Sequence, residues 1–239
     1  METLAAVVGR ERRSDRPAVE TGDGRPYSYR TFCTETWKAA NLFRYNGLVA
    51  GRTLGVADVP AVQPLVAAFG AALLGAAVRF DPPADTDVRA VLAPVDRVGD
   101  YDLPPGGQRF AFGGVPDDPE VEQFERGIWS ENPTVPPREV EPDATALVTD
   151  RSAYTHAAVL AATEDVIAEY AIDRTDVVAL RPSLRRPGTV VAGVVAPLVA
   201  GASILLPDGD DPTDSTGTLA VGDARVPEET AISPEAVSL

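Results

Sequence analysis

Few residues in this sequence can do chemistry by themselves. His156 is the only histidine and Cys33 the only cysteine among 239 residues. A histidine can serve as a general base near neutral pH, and a cysteine can serve as a nucleophile. The two lie far apart in sequence, and no catalytic residue is expected. A lone histidine early in a helix reads as a capping or surface group. Cys33 lies one position from an apolar stripe and reads as a small buried residue. One cysteine and one histidine exclude an intrachain disulfide and any Cys- or His-cluster metal site. Asp208, Asp210, Asp211 and Asp214 carry oxygen ligands for a cation. They lack the spacing of a calcium loop and read as a hydrated acidic turn, so no metal is expected. Arg181, Arg185 and Arg186 form the densest basic cluster. Guanidinium groups so close can hold a carboxylate or phosphate, or they balance nearby acids. Arg10, Arg12 and Arg13 read as a solvated terminal run. No Walker loop, Rossmann glycine fingerprint or Gly-x-Ser-x-Gly elbow is present.

The charge balance narrows the partners. There are 36 acidic residues against 21 Lys and Arg, for a net charge of −15. Nucleic-acid binding needs a basic face to neutralise phosphates, and docking on anionic lipid needs the same. Neither partner is expected. Lys38 is the only lysine. An acidic, lysine-poor surface suits a cytoplasm with molar salt, where screening acts over about 3 Å. A GC-rich genome is the alternative source of the arginines. The first residues lack a signal-peptide core. The apolar run 65–78 is shorter than the ~20 residues a membrane helix needs, and Pro197, Gly201 and Ser203 interrupt the run 190–206. The expected location is cytoplasmic, in a high-salt cytoplasm.

The elements that must position these residues follow an α/β grammar. Strands are expected at 17–20 and 25–29 around a Gly22-Asp23-Gly24 turn. Ser28 is placed to cap a helix bearing Phe32, Thr36, Ala39 and Phe43 on one face, with Asn46-Gly47 as its stop. A strand at 53–57, a helix at 60–74 and a strand at 77–80 come next. Residues 94–143 hold nine prolines and six glycines and read as a connector. Strands precede it at 89–93 and lie within it at 109–112, with a short helix at 118–126. Order returns with a strand at 144–149, a helix at 152–170, a strand at 176–180, a helix at 188–200 and a strand at 202–206. A last strand is placed at 218–221. The expected organisation is a first α/β lobe (1–93), the connector (94–143), a second α/β portion completing the same domain (144–222) and a tail (223–239).

The order of these pieces resembles the N-terminal part of the adenylate-forming superfamily, which includes acyl-CoA synthetases and AMP-dependent ligases. The resemblance is carried by Pro17-Ala18-Val19-Glu20, Tyr27-Ser28-Tyr29 and Ala39-Ala40-Asn41-Leu42. It continues through Gly47-Leu48-Val49-Ala50-Gly51-Arg52-Thr53-Leu54-Gly55-Val56 and the helix end Ala67 to Ala76. Farther on it rests on the helix and strand Ala192 to Ala202. It implies a mostly parallel sheet with flanking helices, like the front part of an adenylate-forming N-terminal domain.

The resemblance also says where nucleotide chemistry belongs. The family's loop Thr-Ser-Gly-Thr-Thr-Gly-x-Pro-Lys-Gly would come after the strand at 144–149 and wrap phosphates with backbone N–H groups. Here the chain reads Thr149-Asp150-Arg151-Ser152-Ala153-Tyr154-Thr155-His156, with no glycine between Gly127 and Gly188. Only the Thr155-His156 pair resembles the family's residues just beyond that loop. The family's aromatic-His pair before the apolar helix is replaced by Arg185 and Arg186. Its later adenine, ribose and lysine motifs have no counterpart. The candidate ligand-binding residues are therefore Arg151, Ser152, Thr155, His156, Arg185 and Arg186. The expected function is that of a truncated, catalytically degenerate relative, acting as a non-catalytic partner or scaffold. Its exposed sheet edge would be covered by a second copy or another protein. No cofactor is expected in that reading. The alternatives are a reduced acyl-activating ligase, making an acyl-adenylate from ATP and a carboxylic acid with Mg, or a nucleotide or acyl-CoA sensor.

Overall fold

The computed structural model describes all residues except 22–25, 138, 208–214 and 224–225. The Gly22-Asp23-Gly24 turn and the acidic run Asp208, Asp210, Asp211 and Asp214 lie outside the described residues. In chain order the first half has strands β1 (Pro17–Thr21) and β2 (Tyr27–Ser28), helix α1 (Tyr29–Tyr45), β3 (Thr53–Val56), α2 (Val62–Ala72), β4 (Ala77–Phe80) and β5 (Ala90–Pro94). Then come β6 (Gln108–Phe112), β7 (Val121–Gln123), α3 (Phe124–Ser130), β8 (Thr145–Val148), β9 (Ala153–Thr155) and α4 (His156–Tyr170). The last part has β10 (Val177–Leu180), α5 (Pro187–Val190), α6 (Ala196–Ala200), β11 (Ser203–Leu206), β12 (Leu219–Val221) and β13 (Ala231–Ile232). A π-helical turn, Val191–Val195, joins α5 to α6.

The mostly parallel sheet with flanking helices takes the form of two sheets. One has the order β13-β12-β10-β11-β1-β2, the other β7-β6-β5-β3-β4-β8-β9. Among the described residues only the β1–β2 and β8–β9 pairs are antiparallel. α1 packs on β1, β2 and α2, while α2 packs on β3, β4 and β5. α4 packs on β8 and β9 and on the π-turn and α6, which cover β10 and β11. The helices therefore fill the space between the sheets. One apolar core runs through that space from Val19, Ile204 and Leu206 to Leu54, Val56 and Leu92. Alternate strand residues face away. Val91, Ala93 and Ala111 meet Val98 and Tyr101 on one outer face, and Ala179, Leu205 and Ala220 cluster on the other.

Residues distant in sequence share each sheet. β1 lies beside β11 with Val19 opposite Ile204, and β4 lies beside β8. The stretch 94–143 supplies β6, β7 and α3. The helix expected at 118–126 is instead a strand followed by a later helix. The Asp118 carboxylate accepts from the Glu120 N–H in a turn, and Val121 pairs beside Arg109 at the sheet edge. α3 then forms where Phe124 stacks on Phe43 at 5.9 Å. Residues 153–155, expected as helix, pair with β8, and Thr155 caps α4 by accepting from the Ala158 N–H at 3.1 Å.

Local signals elsewhere act as read. The Ser28 hydroxyl accepts from the Thr31 N–H at 3.2 Å, and Gly47 has φ +81° where α1 turns off. Phe32, Thr36, Ala39 and Phe43 are all buried. Cys33 is buried too, and burial pushes its thiol pKa up to about 11, against a thiolate nucleophile.

The N-terminal segment is bound rather than solvated. The Trp37 indole N–H donates to Val8 O at 2.8 Å, and Arg13 lies over the Trp37 ring at 5.3 Å. Arg12 donates to the Leu198 and Val199 carbonyls at the end of α6, where a cation suits the helix dipole. Nearby, the Tyr29 hydroxyl donates to Ala202 O at 2.7 Å. Arg12→Ala removes charge-assisted bonds and should cost roughly 1.5–3 kcal/mol in denaturant unfolding. Arg10→Ala, on the exposed neighbour, should stay within about 0.5 kcal/mol of the parent. Equal losses would show that Arg12 does not clamp the helix end.

Candidate functional site

Thr149 to Ser152 connect β8 to β9 as a tight turn. The Thr149 N–H donates to Ser152 O at 2.8 Å. The Arg151 and Ser152 N–H groups both point back to the Thr149 hydroxyl, at 3.3 and 3.1 Å. These amides sit where the resemblance places a phosphate cradle, and they are already bonded within the turn. Asp150 stands at its tip, paired with Arg79 and, at 3.9 Å, with Arg185.

The second wall is the loop before α5. The Leu184 N–H donates to the Asp58 carboxylate at 3.1 Å, which fixes this loop against the end of β3. Arg185 reaches Asp81 at 3.6 Å, and Arg186 reaches Asp223 at 2.9 Å. The Asp223 carboxylate raises the Arg186 pKa further. These contacts are partly exposed ion pairs, each of small net worth. Their effect is to neutralise the arginines.

The two walls face each other across an open cleft of ≈ 700 Å³. Arg151, Ser152, Arg185 and Arg186 all line it, with Pro187 and Gly188 at the start of α5. The tail forms its third wall through Pro234, Glu235, Val237 and Leu239. Tail and helix touch so closely that a Cβ on Gly188 would lie 1.9 Å from the Pro234 carbonyl oxygen. Arg181, grouped with Arg185 and Arg186 by sequence, does not line this cleft. It binds the fully buried carboxylate of Glu228 through two nitrogens. Burial alone would raise the Glu228 pKa; the bonds from Arg181 and the Gly217 N–H outweigh it and hold the carboxyl below its ordinary range. Arg181 is thus a structural anchor for the chain after β12.

Thr155 and His156 leave the cleft. Thr155 spends its hydroxyl as the α4 cap. His156, expected at the surface, is fully buried. Its Nδ1 accepts from the Leu4 N–H at 3.2 Å, so the proton belongs on Nε2. Nε2 has no hydrogen-bond partner among the described residues. The bond to Leu4 spans 152 positions, and nothing local in the sequence signals it. Among the described residues no group of three or more His, Cys, Asp or Glu side chains could hold a metal ion, and no helix is long and apolar enough to cross a membrane.

Burial lowers the His156 pKa to about 4. The unfolded chain therefore binds a proton near pH 6.5 that the folded chain refuses. Folding stability is full above that pH and falls as pH drops from about 6.5 toward 4, by up to about 3 kcal/mol. His156→Gln should flatten this part of the profile, measured by urea unfolding at a series of pH values. An unchanged slope in the variant would remove His156 as its source.

No family model and no curated protein matches the sequence. Solved structures match the fold. The anthranilate CoA ligase AuaEII, in complex with anthranoyl-AMP, aligns with TM-score 0.77 and 15% identity over 92% of this chain and 49% of that one. Apo MatB from Rhodopseudomonas palustris aligns with TM-score 0.74 and 14% identity over the same shares. The N-terminal domain of FACL13 from Mycobacterium tuberculosis aligns with TM-score 0.72 and 16% identity over 89% of this chain and 59% of that one. The chain thus spans about half the length of these structures, and its fold is that of the N-terminal part of adenylate-forming enzymes.

Proposed function

We propose that this chain is a catalytically degenerate relative of AMP-dependent acyl-CoA synthetases and acts as a non-catalytic partner or scaffold. The observation that carries the reading is the turn Thr149 to Ser152. Phosphate binding by a loop needs free N–H groups converging on an anion. Here the Arg151 and Ser152 amides donate to Thr149, and the tip carries the Asp150 carboxylate, itself paired with Arg79 and Arg185. Rebuilding a cradle would mean breaking those bonds and desolvating Asp150. Arg185 and Arg186 point the same way, because their charge is spent on Asp81, Asp150 and Asp223. In this reading the chain holds no nucleotide, Mg or other cofactor. A second copy or another protein covers an open strand edge, and neither nucleic acid nor membrane is the partner. The acidic, lysine-poor composition supports a high-salt cytoplasm as the setting.

A second reading, an AMP or acyl-CoA sensor, is favoured by one feature. The Arg151 guanidinium lines the cleft and forms no ion pair among the described residues. Two assays in about 2 M KCl separate the readings. Purified protein should catalyse no ATP–pyrophosphate exchange with any carboxylic acid. Thermal unfolding should be unmoved by Mg·ATP, AMP or acyl-CoA, whereas a ligand at 100 times its Kd adds about 2.7 kcal/mol. Exchange that disappears in Arg151→Ala would establish the ligase and overturn the proposal. A saturable shift with AMP or acyl-CoA, without exchange, would establish the sensor.

A further inference from the structure

A second recess lies away from the cleft, where the start of α2 meets α1, α3 and the β1–β2 pair. It encloses ≈ 610 Å³, within the range of small-molecule sites. Its walls are apolar where Val62, Val66 and Ile128 line it. Trp129 stands at its rim with 82% of its surface exposed. Two carboxylates, Glu35 and Glu125, face the same space.

Their bonding is incomplete in one respect. The Tyr27 hydroxyl donates to Glu35. Glu125 Oε1 accepts from the Gln63 side chain at 3.2 Å and from the Gly113 N–H at 3.0 Å. Glu125 Oε2 is buried and has no hydrogen-bond partner among the described residues. All three donors are neutral. Among the described residues neither carboxylate forms an ion pair. Among the described residues Lys38 is the one basic residue lining the recess, and its ammonium donates to Trp129 O at 3.4 Å. Burial pushes the Glu35 carboxyl above its ordinary range. The Glu125 charge adds to this, against the opposing pull of Tyr27 and Lys38. Two partly buried carboxylates that repel each other across an apolar recess form no ion pair among the described residues, Lys38 acting on Glu35 only without direct contact, and burying unpaired charge is costly.

We propose that this recess binds a small organic cation, a primary ammonium carried on an apolar or aromatic body. The ammonium would sit between Glu35 and Glu125 in charge-assisted hydrogen bonds. Its body would lie on Val62, Val66 and Ile128, with Trp129 closing over it and adding cation–π attraction. Neither the cleft nor the scaffold reading is needed for this site.

The probe is 2-phenylethylammonium, titrated into the full chain and followed by calorimetry and tryptophan fluorescence. Trp37 is buried, so a change in the solvent-exposed emission reports Trp129. Saturable binding is expected, with the neutral 2-phenylethanol at least ~10-fold weaker, equivalent to about 1.4 kcal/mol. Glu125→Gln and Glu35→Gln keep the shape and the neutral bonds while removing charge. Each should weaken the ammonium ~10-fold or more with the unfolding midpoint retained. If Glu125→Gln fails to fold, Glu35→Gln and the surface change Trp129→Ala still decide. Three results overturn the proposal: no saturation below about 10 mM, equal binding of the alcohol and the ammonium, or unchanged affinity in the folded glutamine variants.

Discussion

The fold depends on β1 being held between β2 and β11. A parallel pair such as Val19 with Ile204 closes a very long loop, and such closure must be repaid by contacts made at the same time. The N-terminal segment supplies them on several sides. Val8 O accepts from Trp37, the Leu4 N–H donates to His156, and Arg12 reaches the end of α6. The Ser203 hydroxyl donates to Pro17 O at 3.1 Å beside the strand pair itself. Segments from both parts of the sequence thereby meet in one core, and the cleft between β9 and α5 inherits its position from that closure.

Under the proposed function, the fold around the cleft persists while the chemistry of the cleft differs. A nucleotide loop contributes free amides and glycine flexibility, neither of which the core requires. With the self-bonded turn Thr149 to Ser152 between them, β8 and α4 hold their places, because Thr155 caps the helix and Leu147 pairs beside Val78. Charges obey the same logic. In an acidic chain the arginines near the cleft find carboxylates at Asp81, Asp150 and Asp223. At Glu35 and Glu125 the acids form no ion pair among the described residues, with Lys38 the nearby cation, and there the chain leaves room for another.

Much of this was legible in the sequence because the signals are local. The Ser28 cap, the Gly47 stop and the stripe from Phe32 to Phe43 need only the chain around them. Arg151, Ser152, Arg185 and Arg186 were brought to one cleft by the order of strands and helices. The features that were not legible depend on distant partners. Ala153 to Thr155 has no strong strand preference and becomes a strand only beside β8. His156 is buried because the segment at Leu4 folds over it, and Arg12 is ordered because α6 presents carbonyls to it. The division into two sheets is set by pairings such as β1 with β11, which hydrophobic runs alone do not encode. The carboxylate recess joins Glu35 to Glu125 across three helices, and no spacing in the sequence links them.

The central claim is that the amides of the Thr149–Ser152 turn are spent within the turn. Amide-resolved NMR during a titration with Mg·ATP tests it at the atoms concerned. The account predicts that the Arg151 and Ser152 amide signals keep their positions throughout. Saturable movement of both, at nucleotide concentrations that leave the rest of the spectrum unchanged, would contradict it and restore a phosphate site to this fold.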